Sequence, residues 1–73
     1  MPLLNVKILE GVFSPKEKQE VIRKLTDSMV SIKGENIRPV TTVLLEEVKS
    51  GDWGAGGVFY TTADVKTLLA AKV

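Results

Sequence analysis

The stretch from Ser14 to Val48 constrains the fold more than any other. It reads as a sharply bounded helix followed by a strand, and a second strand stands in front of it. SPKE (Ser14 to Glu17) is a strong helix start. Ser14 can cap, Pro15 suits the first helical position, and Glu17 stands where a capping box wants a carboxylate. The spacing predicts a helix to about Ile32 or Lys33, ended by Gly34. Val21, Ile22, Leu25, Met29 and Ile32 recur at helical spacing and form one apolar stripe. Lys16, Lys18, Glu20, Arg23 and Lys24 fall largely on the rest of the surface, with Glu20 and Lys24 as a favourable i,i+4 pair. Upstream, LLNVKIL (Leu3 to Leu9) alternates, with Leu4, Val6 and Ile8 on one face, and EGVF turns the chain at Gly11. Downstream, ENIRP is a connection, and VTTVLLEEV (Val40 to Val48) is a β-branched, apolar second strand.

A strand, a helix and another strand form a β-α-β unit. That connection implies parallel strands with a right-handed crossover. One helix covers only one face of a two-stranded sheet, so the other face and at least one edge call for a second subunit. Size points the same way. With 73 residues the chain is a single domain over 1–73. A lone core of this size supplies only roughly 3–5 kcal/mol. The chain has no cysteine for a disulfide staple. Oligomerisation is the expected remedy.

The end of the chain reads as a turn or short hairpin followed by a short helix. Four of the six glycines lie between Gly51 and Gly57. GAGG lacks the GK[ST] ending of a phosphate loop and opens no helix, which argues against phosphate binding. A hairpin here would set Trp53 and Phe59 against a neighbouring subunit. TTADVKTLLAAK then reads as a helix, capped by Thr61 or Thr62, with Val65, Leu68 and Leu69 as its apolar edge. The expected class is thus α/β (α+β): a β-α-β subunit with parallel strands, a short C-terminal hairpin and a short helix, its sheet completed by oligomerisation.

Composition narrows the chemistry. The chain is 44% hydrophobic and 26% charged with a net charge of +1, the balance of a folded chain. That charge offers nothing to nucleic acid or an anionic membrane. No apolar run approaches the roughly 20 residues of a membrane span, and no signal peptide is visible, so the cytoplasm is the expected compartment. There is no histidine and no cysteine. The commonest general base, the commonest metal ligand and every thiolate site are excluded, and no metal or organic cofactor is implied. Acid–base work falls to carboxylates, Lys, Tyr or the N-terminal amine.

Pro2 stands out on that ground. Methionine is trimmed when the next residue is small, and proline qualifies. A prolyl amine is a secondary amine whose ring fixes its direction. Burial and nearby positive charge lower an α-amino pKa from its usual ~8. A prolyl amine at the start of a buried strand could then serve as a neutral general base near neutral pH. With Met1 retained, the Pro2 nitrogen is an amide without basicity.

The initial Pro2, the strand ending ILEG, the capped helix with VIRKL, a second strand containing EE, and GDWGAGG together resemble the 4-oxalocrotonate tautomerase family, from Pro2 to about Gly57. The resemblance implies a β-α-β subunit, assembled as a hexamer (a trimer of dimers). It also implies a processed proline that moves a proton between two positions of an enol or dienol acid. Pro2 becomes the catalytic base. Trp53 matches the family's active-site aromatic, as an apolar wall, an interface anchor or both.

Departures from the pattern bear on the substrate. The family's diacid tautomerase carries an arginine immediately after the EG turn, where this chain has Val12. A second, near the start of the second strand, corresponds to Thr42. Both carboxylate clamps are absent, which weakens diacid binding. Arg38, on the connecting loop, is a substitute or else a solvated loop cation. Lys7, on the first strand, is a further cation. Relatives that hydrate halogenated acrylates need a carboxylate after the aromatic, and GAGG has none. One of Glu46 and Glu47 is expected to point inward, Glu47 as a structural or surface carboxylate. The expected pocket is apolar, walled by Leu3, Leu9, Val12 and Trp53, and suits an aryl-pyruvate enol better than a hexadienedioate. Three functions follow: a tautomerase acting on a small enol or keto acid as a homo-hexamer, one subunit of a hetero-hexamer whose partner supplies the arginines, or a non-catalytic assembly protein that keeps the fold.

Overall fold

In the computed structural model, which describes residues 1–71, the chain runs β1 (Leu3–Leu9), α1 (Pro15–Lys33), a 3-10 helix (Glu35–Val40), β2 (Thr42–Val48), β3 (Trp53–Ala55), β4 (Val58–Tyr60) and α2 (Thr62–Ala70). β1 and β2 pair in parallel, in register from Leu3↔Thr42 to Leu9↔Val48. β3 and β4 form a separate antiparallel hairpin. The expected subunit fold holds: parallel strands joined through a helix, then a short hairpin and a short helix.

Helix α1 begins as its sequence dictates. The Ser14 N–H donates to Glu17 Oε1 (2.8 Å) and the Glu17 N–H donates to Ser14 Oγ (3.1 Å), a complete capping box. At the other end, Gly34 takes φ +94°, open to glycine at little cost, and its N–H donates to the Val30 carbonyl (2.7 Å). Val21, Leu25 and Met29 of the stripe are half-buried, whereas Ile22 and Ile32 are exposed. The stripe is therefore covered only in part.

Two boundaries differ from expectation. ENIRP is not an irregular connection but the body of a 3-10 helix that runs through Val40, so β2 starts at Thr42 rather than Val40. Backbone donors explain this. Pro39 has no N–H to give a ladder. The Thr41 N–H closes onto the Arg38 carbonyl (3.2 Å), and its hydroxyl donates to the Ile37 carbonyl (2.8 Å). The ladder then begins with the Thr42 N–H, which donates to the Pro2 carbonyl (3.0 Å). Helix α2 is capped by Thr61, through a second capping box with Asp64, and ends at Ala70. The expected end at Lys72 lies outside the described residues.

The sheet has unequal faces. Glu47 bonds to Lys18 of α1, so Ile8 and Glu47, with Leu4, Val6, Val43 and Leu45 in the same alternation, face that helix. On the other face, Leu3, Asn5, Lys7, Thr42, Leu44 and Glu46 are exposed. Ile8 and Leu9 alone are buried among the described residues, and neither completely.

Candidate active site

The candidate site is a cleft of about 460 Å³. Its floor is the end of β1 and the turn that follows: Lys7, Ile8, Leu9, Val12 and Phe13. Trp53, Ala55 and Tyr60 of the hairpin complete it with Val65 and Leu68 of α2. The hairpin and α2 explain how Leu9 reaches 6% exposure although it lies on the face turned away from α1.

Polar contacts hold these pieces together. The Ser50 N–H donates to Glu10 Oε1 (2.9 Å), the Thr62 N–H to Ser50 Oγ (3.0 Å), and the Thr62 hydroxyl to the Glu10 carbonyl. The end of β1, the end of β2 and the start of α2 are thus joined at one corner. Gly11 is required there. It adopts φ +76°, and a Cβ on it would stand 3.1 Å from Thr62 Cγ2. Its N–H donates to Glu47 Oε2 (3.2 Å), while Glu47 Oε1 meets Lys18 Nζ at 2.6 Å. The Lys18 hydrogen bond, aided by the Gly11 N–H, holds the Glu47 carboxyl below the usual glutamate range. Glu47 therefore ties the turn to α1. Glu46 points to the open face, where Asn5 Nδ2 donates to it (3.3 Å) and Lys7 Nζ lies 3.9 Å away.

Of the residues singled out in the sequence, Leu9, Val12 and Trp53 meet in the cleft. Pro2 and Thr42 pair at the opposite end of the sheet, and Leu3 is exposed beside them rather than in the cleft wall. Arg38 is elsewhere again. Its Nε and NH2 donate to Glu35 (2.8 and 3.2 Å) and its NH1 to Asp27 (2.7 Å). Those two carboxylates, Glu35 foremost, raise its pKa above the ordinary arginine value. The guanidinium already has partners on the α1 side of the connection. Phe13, Tyr60, Val65 and Leu68 were not singled out as lining. The i,i+3 spacing of Val65 and Leu68 was the available signal for a shared helix face.

Among the described residues, no group of three His, Cys, Asp or Glu side chains gathers as a cation would require, and no helix is long and apolar enough to cross a membrane.

Comparison with known proteins agrees with this fold. Residues 2–63 match the family described as Tautomerase enzyme. A Dickeya dadantii protein, "Probable tautomerase K2", is 34% identical over 58 residues, covering 78% of this chain and 84% of its own. A Staphylococcus aureus protein, "Probable tautomerase SAV1363", is 36% identical over 58 residues (80% and 92%). Among solved structures, a 4-oxalocrotonate tautomerase homologue, TTHB242, superimposes with a TM-score of 0.69 at 38% identity, over 88% of this chain and 95% of that one. A 4-oxalocrotonate tautomerase isozyme from Methylibium petroleiphilum gives 0.71 at 26% identity, over 88% and 97%. The chain belongs to the tautomerase family, of the 4-oxalocrotonate tautomerase type. Its membership supports an isomerase-type role.

Proposed function

We propose that this protein catalyses keto–enol proton transfer on a small 2-oxo or enol acid, with Pro2, freed by loss of Met1, as general base. The neutral prolyl amine takes the enol hydroxyl proton. The oxygen electrons form the carbonyl, the C=C pair takes a proton at carbon, and the prolinium supplies that proton. No net oxidation occurs and no cofactor is needed. The observation that carries this reading is the position of Pro2. It directly precedes β1, is half-buried, has its carbonyl tied into the strand pairing by the Thr42 N–H, and is where the family match starts.

The reading also requires assembly. Pro2 and the cleft lie at opposite ends of β1, which at ~3.3 Å per residue is about 23 Å. One subunit cannot bring both to one small molecule, so the base of one subunit serves the cleft of another. The surface supports this. An 8.0 kDa compact monomer exposes about 4,450 Å²; this chain exposes 5564 Å². Its radius of gyration is 14.9 Å, against about 11 Å for a compact domain of this length. Leu44, Trp53 and Phe59 are among the exposed side chains that a neighbour would cover. A homo-hexamer built as a trimer of dimers is the assembly we propose. A hetero-hexamer is its rival, since Val12 and Thr42 stand where the diacid enzyme has arginines. Trp53 and Leu9 then act as pocket walls. Asp27 and Glu35 already take three of the five Arg38 N–H donors and offset its charge, which leaves it a weakened anchor for a substrate carboxylate.

The test is the intact mass followed by turnover. A mass short by one methionine, with keto–enol turnover that Pro2→Ala abolishes, supports the mechanism. Turnover unchanged in Pro2→Ala, or turnover by protein that retains Met1, would overturn it.

A further inference from the structure

The cleft is finished by residues outside the family match. That match ends at residue 63, so α2 from Asp64 onward lies beyond it, yet Val65 and Leu68 line the cleft. The helix is tied down at its first turn, since Thr62 bonds to both Ser50 and Glu10 and the Thr61–Asp64 capping box opens it. One charged side chain lines the cleft, Lys7; the rest of the lining is apolar apart from the Tyr60 hydroxyl and the Trp53 indole N–H. The Lys7 ammonium is 3.9 Å from Glu46, at the long limit of an ion pair, and 61% of its side chain is exposed. It is only loosely engaged and can take a second carboxylate.

The geometry points to α2 as a specificity element: we propose that Val65 and Leu68 hold the apolar tail of a substrate monocarboxylate whose anionic end pairs with Lys7. A cleft of about 460 Å³ falls within the usual range of small-ligand pockets, which are largely apolar with a few placed polar groups. An aryl or branched alkyl acid matches that lining. A diacid would set its second carboxylate against Leu9, Val12 and Leu68 with no cation to meet it, at a desolvation cost. This names the substrate class for the tautomerase reading and rests on it for the chemistry, but not for the binding.

Trp53 is the only tryptophan in the chain and lines the cleft, so its fluorescence reports occupancy directly. The assembled protein would be titrated with 3-phenylpropanoate and with adipate, neither of which needs turnover. We expect 3-phenylpropanoate to perturb Trp53 and adipate to bind at least about tenfold more weakly. Leu68→Ala should weaken 3-phenylpropanoate about tenfold, the scale of lost apolar contact in a pocket. Lys7→Gln should weaken it about as much, since it removes a charge-assisted contact. Leu69→Ala, next door on α2 but outside the cleft lining, should match the wild type. Leu68 is 71% exposed, so its replacement leaves the subunit folded; Leu68→Phe, which fills the cleft, provides a second variant and should weaken binding without losing helix signal in circular dichroism. Equal affinity of Leu68→Ala and wild type, equal affinity for adipate, or no response to 3-phenylpropanoate would overturn the proposal. Failure of the tautomerase reading is a separate result. Pro2→Ala that keeps its turnover sinks the proline mechanism while the Leu68 binding difference stands. Insensitivity of binding to Leu68 sinks the role of α2 while a proline-dependent turnover stands.

Discussion

The strand–helix–strand region, Leu3 to Val48, and the hairpin–helix region, Trp53 to Ala70, are built on different terms. The first makes its own seven-residue parallel pairing, roofed on one side by a capped helix. The second has two three-residue strands, every residue of which is exposed, and a nine-residue helix that, like α1, has no buried residue. It attaches through a polar corner at Glu10, Ser50 and Thr62 and through the apolar residues of the cleft. Secondary structure alone does not make a core. The second region adds a wall rather than an interior, and the space it leaves is the candidate site.

Predictions that break or sharpen this contrast run from large effects to small. Pro2→Ala should lower keto–enol turnover by at least about 100-fold, the usual scale for a lost general base, while Trp53 titrations stay unchanged. Loss of both would mean that Pro2 shapes the cleft rather than serving as base. Leu9→Ala removes a buried side chain where the two regions meet. It should cost about 2–5 kcal/mol in urea unfolding, and a cost near that of an exposed residue would mean that the hairpin and α2 do not close over it. Ser14→Ala removes the cap of α1 and should cost about 1 kcal/mol, felt throughout the first region. Thr62→Val deletes one hydroxyl bond in the corner, worth about 1 kcal/mol. It should speed amide hydrogen exchange in α2 while α1 exchanges as before; equal acceleration of both helices would show that the regions unfold as one.

The smallest effect is a pH dependence. The Glu47 carboxyl is held low in the folded state, first by Lys18 and then by the Gly11 N–H. A depressed folded pKa contributes stability that is present above the ordinary glutamate range and is lost as pH falls through the folded value. Acid unfolding should therefore begin as pH drops below that range, and Glu47→Gln should flatten this part of the profile. An identical acid profile in the variant would remove Glu47 from the account.

Much of the first region is determined by sequence alone, because its signals are local. Ser14, Pro15 and Glu17 bracket a helix start within four residues. Alternation in LLNVKIL and β-branching in TTVLL set the strands, and the short β-α-β connection leaves parallel pairing as the available arrangement. β2 starts two residues later than its sequence predicts, because Val40 and Thr41 have strand-like side chains. Pro39 and the Thr41 hydrogen bonds decide against them, and which carbonyl an N–H finds is a matter of folded geometry. The site follows the same division. Leu9, Val12 and Trp53 were legible as apolar candidates through residue type and resemblance. Only the tertiary structure decided that they share a cleft with Tyr60, Val65 and Leu68, that Arg38 is engaged by Asp27 and Glu35, and that Pro2 stands a full strand length away. Chain-local hydrogen bonding and periodicity determine elements. Which side chains converge depends on long-range packing, and no local pattern encodes it.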